Sequence, residues 1–190
     1  MNNFYQGIAL DLSLEDRRFL TYLAITYLTR TEDISSNNNT FDQYRHFFLK
    51  NSKNSYIDRP IFQKIADLFQ KDSKYNQLEH IYKYSQVSCV PNKLIPHVDF
   101  RKCVISIPLV PLGPVSWFES DSSERFLTDP TTYKPIMTYD YRHETSLINT
   151  HIFHGSPDND QIRIFFQIGG FAQTLQEVVG QIKPMYLIIS

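Results

Sequence analysis

The chain has 190 residues, of which 42% are hydrophobic and 21% charged, and its formal net charge is −1. That balance excludes disordered, collagen-like and fibrous chains and fits one soluble globular domain spanning residues 1–190. Without a basic excess or a run of like charges there is no strong nucleic-acid signal, and no apolar stretch reaches the roughly 18 residues that a bilayer span requires.

Near the start, Asp11, Glu15, Asp16, Arg17 and Arg18 stand where a secretory leader would be apolar, which predicts a cytoplasmic protein. From Ser13 to Arg30 the apolar residues Leu14, Phe19, Leu20, Leu23, Tyr27 and Leu28 recur at intervals of three and four, the spacing of an amphipathic helix, and Ser13 with Asp16 forms its N-terminal cap. Polar Thr31 to Thr40, with its Asn run, predicts a loop. Helical patterns follow at Phe41 to Lys50, at Arg59 to Gln70 with Pro60 in the first turn, and at Tyr75 to Tyr84. Residues 1 to about 84 are therefore expected to form a mainly helical layer.

From about residue 85 the period changes to two and β-branched and aromatic residues dominate. Strands are expected at Gln86 to Val90, Leu94 to Asp99, Lys102 to Val110, Val115 to Glu119, Pro135 to Tyr141, Ser146 to Phe153 and Ile162 to Phe171. So many short strands suit a closed or double-sheet antiparallel fold, which leaves few exposed edges. Leu175 to Ile182 fits a short helix and Met185 to Ile189 a last strand. Cys89 and Cys103 lie in apolar runs without Cys-x-x-Cys spacing, so they read as buried, reduced thiols.

Of the six histidines, His46 and His80 fall in helical patterns as half-exposed surface or packing residues, and His143 falls in a turn. His97 differs because Asp99 follows two residues later, and on a strand that spacing puts imidazole and carboxylate on one face. A second histidine from another strand would complete the two-His, one-carboxylate set that leaves three positions of a ferrous ion open. His154, followed by Gly155, is the candidate. His151 competes, but residues three apart on one strand face opposite ways, and its plain reading is a surface residue. Arg163 follows nine residues after His154 inside the apolar run Ile162 to Ile168. A buried arginine is costly unless paired, and its planar fork suits a carboxylate ligand. Arg101 reads equally well as a contact to an anionic substrate or as an ordinary strand-edge residue.

These residues carry a resemblance. The Pro96-His97-Val98-Asp99 opening, the strand Arg101 to Leu109, the Leu-Ile-Asn-Thr run ahead of His154, and Arg163 in its apolar strand resemble the 2-oxoglutarate and Fe(II)-dependent oxygenases, in particular their small bacterial and phage members. The resemblance covers the C-terminal hundred residues and not the helices before them. It implies an α+β chain with a double-stranded β-helix core (a jelly roll, cupin-like) over residues 85–190. His97, Asp99 and His154 would be catalytic metal ligands for Fe(II), and Arg163 would hold the distal carboxylate of the cosubstrate 2-oxoglutarate. The implied activity is a dioxygenase that consumes molecular oxygen, releases succinate and carbon dioxide, and hydroxylates or demethylates a small-molecule or peptide substrate. Asp99 argues against halogenation, since halogenating relatives lack that carboxylate. Many relatives have Ser or Thr two residues after this arginine; here Phe165 stands there, so Tyr84, Gln86 or Ser88 would supply that hydrogen bond. Two other readings remain open. The same ligands could hold zinc for hydrolysis, although Arg163 then has no evident role, or the jelly roll could be a non-catalytic binding protein with a vestigial site. Trp117, Phe118, Tyr133, Tyr139 and Tyr141 read mostly as packing, and the polar stretch Ser120 to Thr132 as a lid or a solvated connection.

Overall fold

The computed structural model describes residues 3–28, 45–90, 93–110, 113–140, 144–157 and 162–188. Among these residues, ten strands form two antiparallel sheets. Strands β1 (Tyr5–Ile8), β2 (Arg45–Phe48), β3 (Ser85–Val90), β5 (Cys103–Pro108), β8 (Thr145–Asn149) and β10 (Arg163–Phe171) make the larger sheet, in the order β1-β8-β5-β10-β3-β2. The smaller sheet is β4 (Leu94–His97), β9 (His154–Ser156), β6 (Val115–Glu119) and β7 (Lys134–Tyr139), in the order β4-β9-β6-β7. Helices α1 (Leu14–Leu28), α2 (Pro60–Ala66) and α3 (Leu78–Lys83) precede most of the sheet, and α4 (Leu175–Val179) follows it. Among the described residues, no helix is long and apolar enough to cross a membrane.

The larger sheet is buried on both faces, which explains its nearly unbroken apolar strands. On one face Val87, Ile105, Ile107, Leu147, Phe166 and Ile168 meet Leu20 and Leu23 of α1, Phe62 and Ile65 of α2 and Ile81 of α3. On the other, Val90, Val104, Ile148 and Phe165 pack against Val115 and Trp117 of the smaller sheet. Trp117 donates its indole N–H to the Asn149 carbonyl at 2.8 Å, which removes the penalty for burying that group. Helix α1 starts as its sequence predicts: the Asp16 N–H donates to Ser13 Oγ, and the Ser13 N–H returns to the Asp16 carboxylate. The same carboxylate takes the Lys64 ammonium at 2.6 Å, tying α1 to α2.

Several expected elements differ. Arg45–Phe48, inside the expected helix at Phe41 to Lys50, is strand β2; it extends the larger sheet by pairing with β3, and residues 41–44 lie outside the described ones. An aromatic run beside an open sheet edge gains a full ladder of backbone hydrogen bonds, which outweighs weak helix propensity. Strand β1 was not expected and pairs with β8 at the opposite edge. The single strand expected at Ser146 to Phe153 ends at Asn149; the chain turns and re-enters the smaller sheet as β9. The strand expected at Leu94 to Asp99 ends at His97. In place of a last strand from Met185 there is a turn of 3₁₀ helix at Pro184–Tyr186 and a single bridge from Leu187 to Ile8. The expected loop at Thr31 to Thr40 lies outside the described residues.

Gly155, in the middle of β9, allows β4 to approach closely. A Cβ there would sit 2.6 Å from the Leu94 carbonyl oxygen and 3.0 Å from that of Ile95, both backbone atoms that cannot rotate away. Gly155→Ala is therefore expected to destabilise the protein by about 1–3 kcal/mol through overpacking. Guanidinium denaturation reads this directly, and an unshifted midpoint would show that β4 yields without cost.

Candidate metal centre

The two sheets place His97 at the end of β4 directly opposite His154 at the start of β9. Cross-strand partners in an antiparallel pair point to the same face, and the two rings lie with centroids 4.4 Å apart. Asp99 lies beyond the strand end, where its backbone N–H donates to the Thr150 carbonyl at 2.8 Å. Its Oδ1 stands 3.7 Å from His97 Nε2. One ligand atom from each of His97, Asp99 and His154 lies within 4.8 Å of the others. Donors at about 2.1 Å from one ion and at right angles are about 3 Å apart, so small side-chain adjustments would close the set around a cation.

The donor chemistry fits a cation as well. His97 Nδ1 is 3.0 Å from the Ile95 carbonyl and His154 Nδ1 is 3.0 Å from that of Ile152. A carbonyl only accepts, so at each of these contacts Nδ1 carries the proton, which makes Nε2 the lone-pair nitrogen of each ring, the orientation in which imidazoles bind metals. Burial, reinforced by the neighbouring His154, pushes the His97 pKa down to about 3. Burial lowers that of His154 too. For Asp99 burial acts to raise the pKa, but the charge of Arg101 and the two imidazoles outweigh it and the net shift is downward. At neutral pH the site thus holds two neutral nitrogen donors and one carboxylate.

Arg163 opens β10 opposite Val90 of β3 and is buried. It shares a face with Phe165 and Gln167, the face toward the smaller sheet. Gln86 and Ser88 of β3 lie on that same face. The side-chain Oε1 of Gln167 accepts from Gln86 Nε2 at 2.8 Å and from Ser88 Oγ at 3.3 Å. Tyr84 precedes the strand, with its ring against Gly170, where the backbone φ of +78° suits glycine alone. His151 is exposed in the turn between β8 and β9 and stands outside the cluster. His80 packs beside Tyr75 and Tyr84. His46 is a strand residue of β2 paired with Ser88 rather than a helical one, and His143 and Tyr141 lie outside the described residues. Trp117 and Phe118 are core residues. The stretch Ser120 to Thr132 is pinned where it passes β4: Val98 N–H donates to the Arg125 carbonyl and Leu127 N–H to that of Pro96, and Phe126 stacks on His97. Neither Gln167 nor Gly169 stood out in the sequence, because a glutamine or glycine in an apolar strand carries no motif.

No family model and no curated protein sequence matches the chain. Solved structures do match it. A non-haem α-ketoglutarate-dependent carbocyclase of nogalamycin biosynthesis, SnoK, superposes with a TM-score of 0.55 at 8% identity over 99% of this chain and 90% of its own. A prolyl hydroxylase from Trichoplax adhaerens, solved with a hypoxia-inducible factor peptide, gives 0.52 at 12% identity over 96% and 89%. At such identities the likeness concerns the fold, and the fold is the double-stranded β-helix on which those oxygenases are built.

The depressed histidine pKa values make stability depend on pH in a definite sense. Below about 6.5 the unfolded chain takes up protons that folded His97 refuses until about pH 3. Stability of the metal-free protein is thus full above about pH 6.5 and falls on acidification, by up to about 1.4 kcal/mol per pH unit for each such group. His154 adds in the same direction, and Asp99 contributes only below the ordinary carboxylate range. Melting temperatures measured from pH 7 to 4 should fall more steeply for the native chain than for His97→Asn; equal slopes would contradict the buried neutral imidazole.

Proposed function

We propose that the protein is a non-haem Fe(II)- and 2-oxoglutarate-dependent dioxygenase of the double-stranded β-helix superfamily, acting as one domain. The observation that carries this reading is the convergence of His97, Asp99 and His154 with both Nδ1 atoms tied to carbonyls. In this reading His97 Nε2, His154 Nε2 and one Asp99 oxygen hold the ferrous ion on a single side. When bound, iron would let molecular oxygen oxidise both 2-oxoglutarate, to succinate and carbon dioxide, and a substrate C–H bond, to C–OH, one oxygen atom going to each product.

The chain's own residues do the rest. The two imidazoles contribute no charge, so the site tolerates a dianionic cosubstrate, and Asp99 supplies one compensating negative charge to the metal. Arg163, on the inner face of β10, holds the distal carboxylate through its two-pronged donor edge. Gln86, Ser88 and Gln167 line that face with hydrogen-bonding groups in place of the hydroxyl that Phe165 lacks. Trp117, Val104 and Phe165 line the interior between the sheets with apolar surface, and low local polarity strengthens a charged contact made beside it. Cys89 and Cys103 are not joined in a disulfide, in keeping with a reducing cytoplasm that also keeps iron ferrous. The two fold neighbours are named for different reactions, so the substrate is determined by the mouth of this chain's own site and not by the fold. Hydroxylation, or demethylation through a hydroxylated carbon, is the proposed outcome.

Succinate formation from 2-oxoglutarate by the iron-loaded protein in oxygen, screened across small-molecule and peptide substrates, tests the reading. Asp99→Ala is expected to abolish it while leaving the melting curve cooperative. Arg163→Ala is expected to raise the 2-oxoglutarate requirement about 10- to 150-fold, the equivalent of a lost charged hydrogen bond worth about 1.5–3 kcal/mol, with iron affinity little changed. Oxygen-independent hydrolysis supported by zinc would instead establish the hydrolase reading.

A further inference from the structure

Asp99 has a second neighbour besides the histidines. Arg101 Nε donates to Asp99 Oδ2 at 2.9 Å, on the opposite side of the carboxylate from the oxygen that faces His97. We propose that Arg101 is a positioning residue that fixes the Asp99 carboxylate so that a single oxygen is offered to the metal ion; this rests on the metal-centre reading above. The terminal torsion of an aspartate is broad, and a carboxylate free to turn beside a dication can bind through both oxygens. Two-oxygen binding would occupy one of the three open positions that the ligand set otherwise leaves. Engaging Oδ2 from behind prevents it.

The guanidinium is itself held. Arg101 Nη2 reaches the side-chain Oε1 of Gln167 at 3.5 Å, and that same oxygen accepts from Gln86 Nε2 at 2.8 Å. Thr150 clamps the backbone around the pair: its Oγ1 donates to the Arg101 carbonyl at 2.8 Å, its N–H donates to that of Lys102, and its own carbonyl accepts from Asp99 N–H. Strand β10 makes room with a glycine. A Cβ on Gly169 would fall 2.9 Å from Arg101 Nη1 and 3.3 Å from its Cδ. An arginine used only to neutralise charge at a surface would need neither the vacated strand position nor the clamp. Lysine would supply the charge but not the planar, directional edge.

Cobalt(II), titrated into the purified full chain and followed by its visible absorption, reads affinity and coordination number without turnover. Arg101→Met is expected to weaken cobalt binding about 10- to 100-fold and to alter the band. Gly169→Ala, which displaces the guanidinium without changing it, should alter the band in the same direction. Arg101→Lys should recover affinity but not the native band; a native band in that variant overturns the orienting role even if Arg101→Met unfolds. Unchanged affinity and band in Arg101→Met, with the native chain binding cobalt, overturn it too and leave the metal centre standing. No cobalt uptake by the native chain removes both.

Discussion

The site depends on how β4 lies against β9. Two pairs define the register, Leu94 with Ser156 and His97 with His154, and between them β4 carries one more residue than β9. That extra residue is a β-bulge, and its effect is on facing. Leu94 and His97 are three apart and on a regular strand would point to opposite sides. With the bulge, Leu94 packs into the apolar layer between the sheets while His97 faces His154. The pairing is short, so the close approach allowed by Gly155 supplies much of what keeps the two imidazoles together.

Electrostatics then dictates which protonation states the site can hold. Two imidazolium ions 4.4 Å apart in a buried cleft would repel and lose hydration together, so both stay neutral. The carboxylate is kept ionised by Arg101, whose Nε lies 2.9 Å away. The outcome is a set of donors with one negative charge that is ready for a dication without first shedding protons, which is the state a metal needs and an empty apolar cleft would not produce.

What the sequence revealed and what it hid have physical causes. His97, Asp99 and His154 were legible because their residue types and order carry chemistry, and the structure brings the three together. The local cause differs from strand parity, however: Asp99 stands beyond the end of β4, in a loop held by Thr150. The helix at Ser13 was legible from its cap and spacing. Strands β1 and β2 were not, since an edge strand of four residues draws its stability from partners in β8 and β3 that no local window contains. The break after Asn149 was hidden for the same reason: an apolar run continues across it, and only the change of sheet shows that the run belongs to two strands.

The division of labour along β10 explains how the N-terminal helices bear on the site. Phe166 and Ile168 point into the helical layer, where Phe62 of α2 meets Phe166 with ring centroids 6.1 Å apart. Arg163, Phe165 and Gln167, on the alternate positions, face the smaller sheet. Because side chains on the two faces share one backbone, the strand can hold a buried arginine and a polar glutamine on one side only if the other side is firmly anchored in apolar packing. The helices provide that anchorage, burying Leu20, Leu23, Phe62, Ile65 and Ile81 against the sheet, at about 25 cal/mol for each Å² of apolar surface removed from water. A strand so fixed has little freedom to shift Gln167 or Gly169 relative to Arg101, and through Arg101 the rigidity of the helical layer reaches the Asp99 carboxylate.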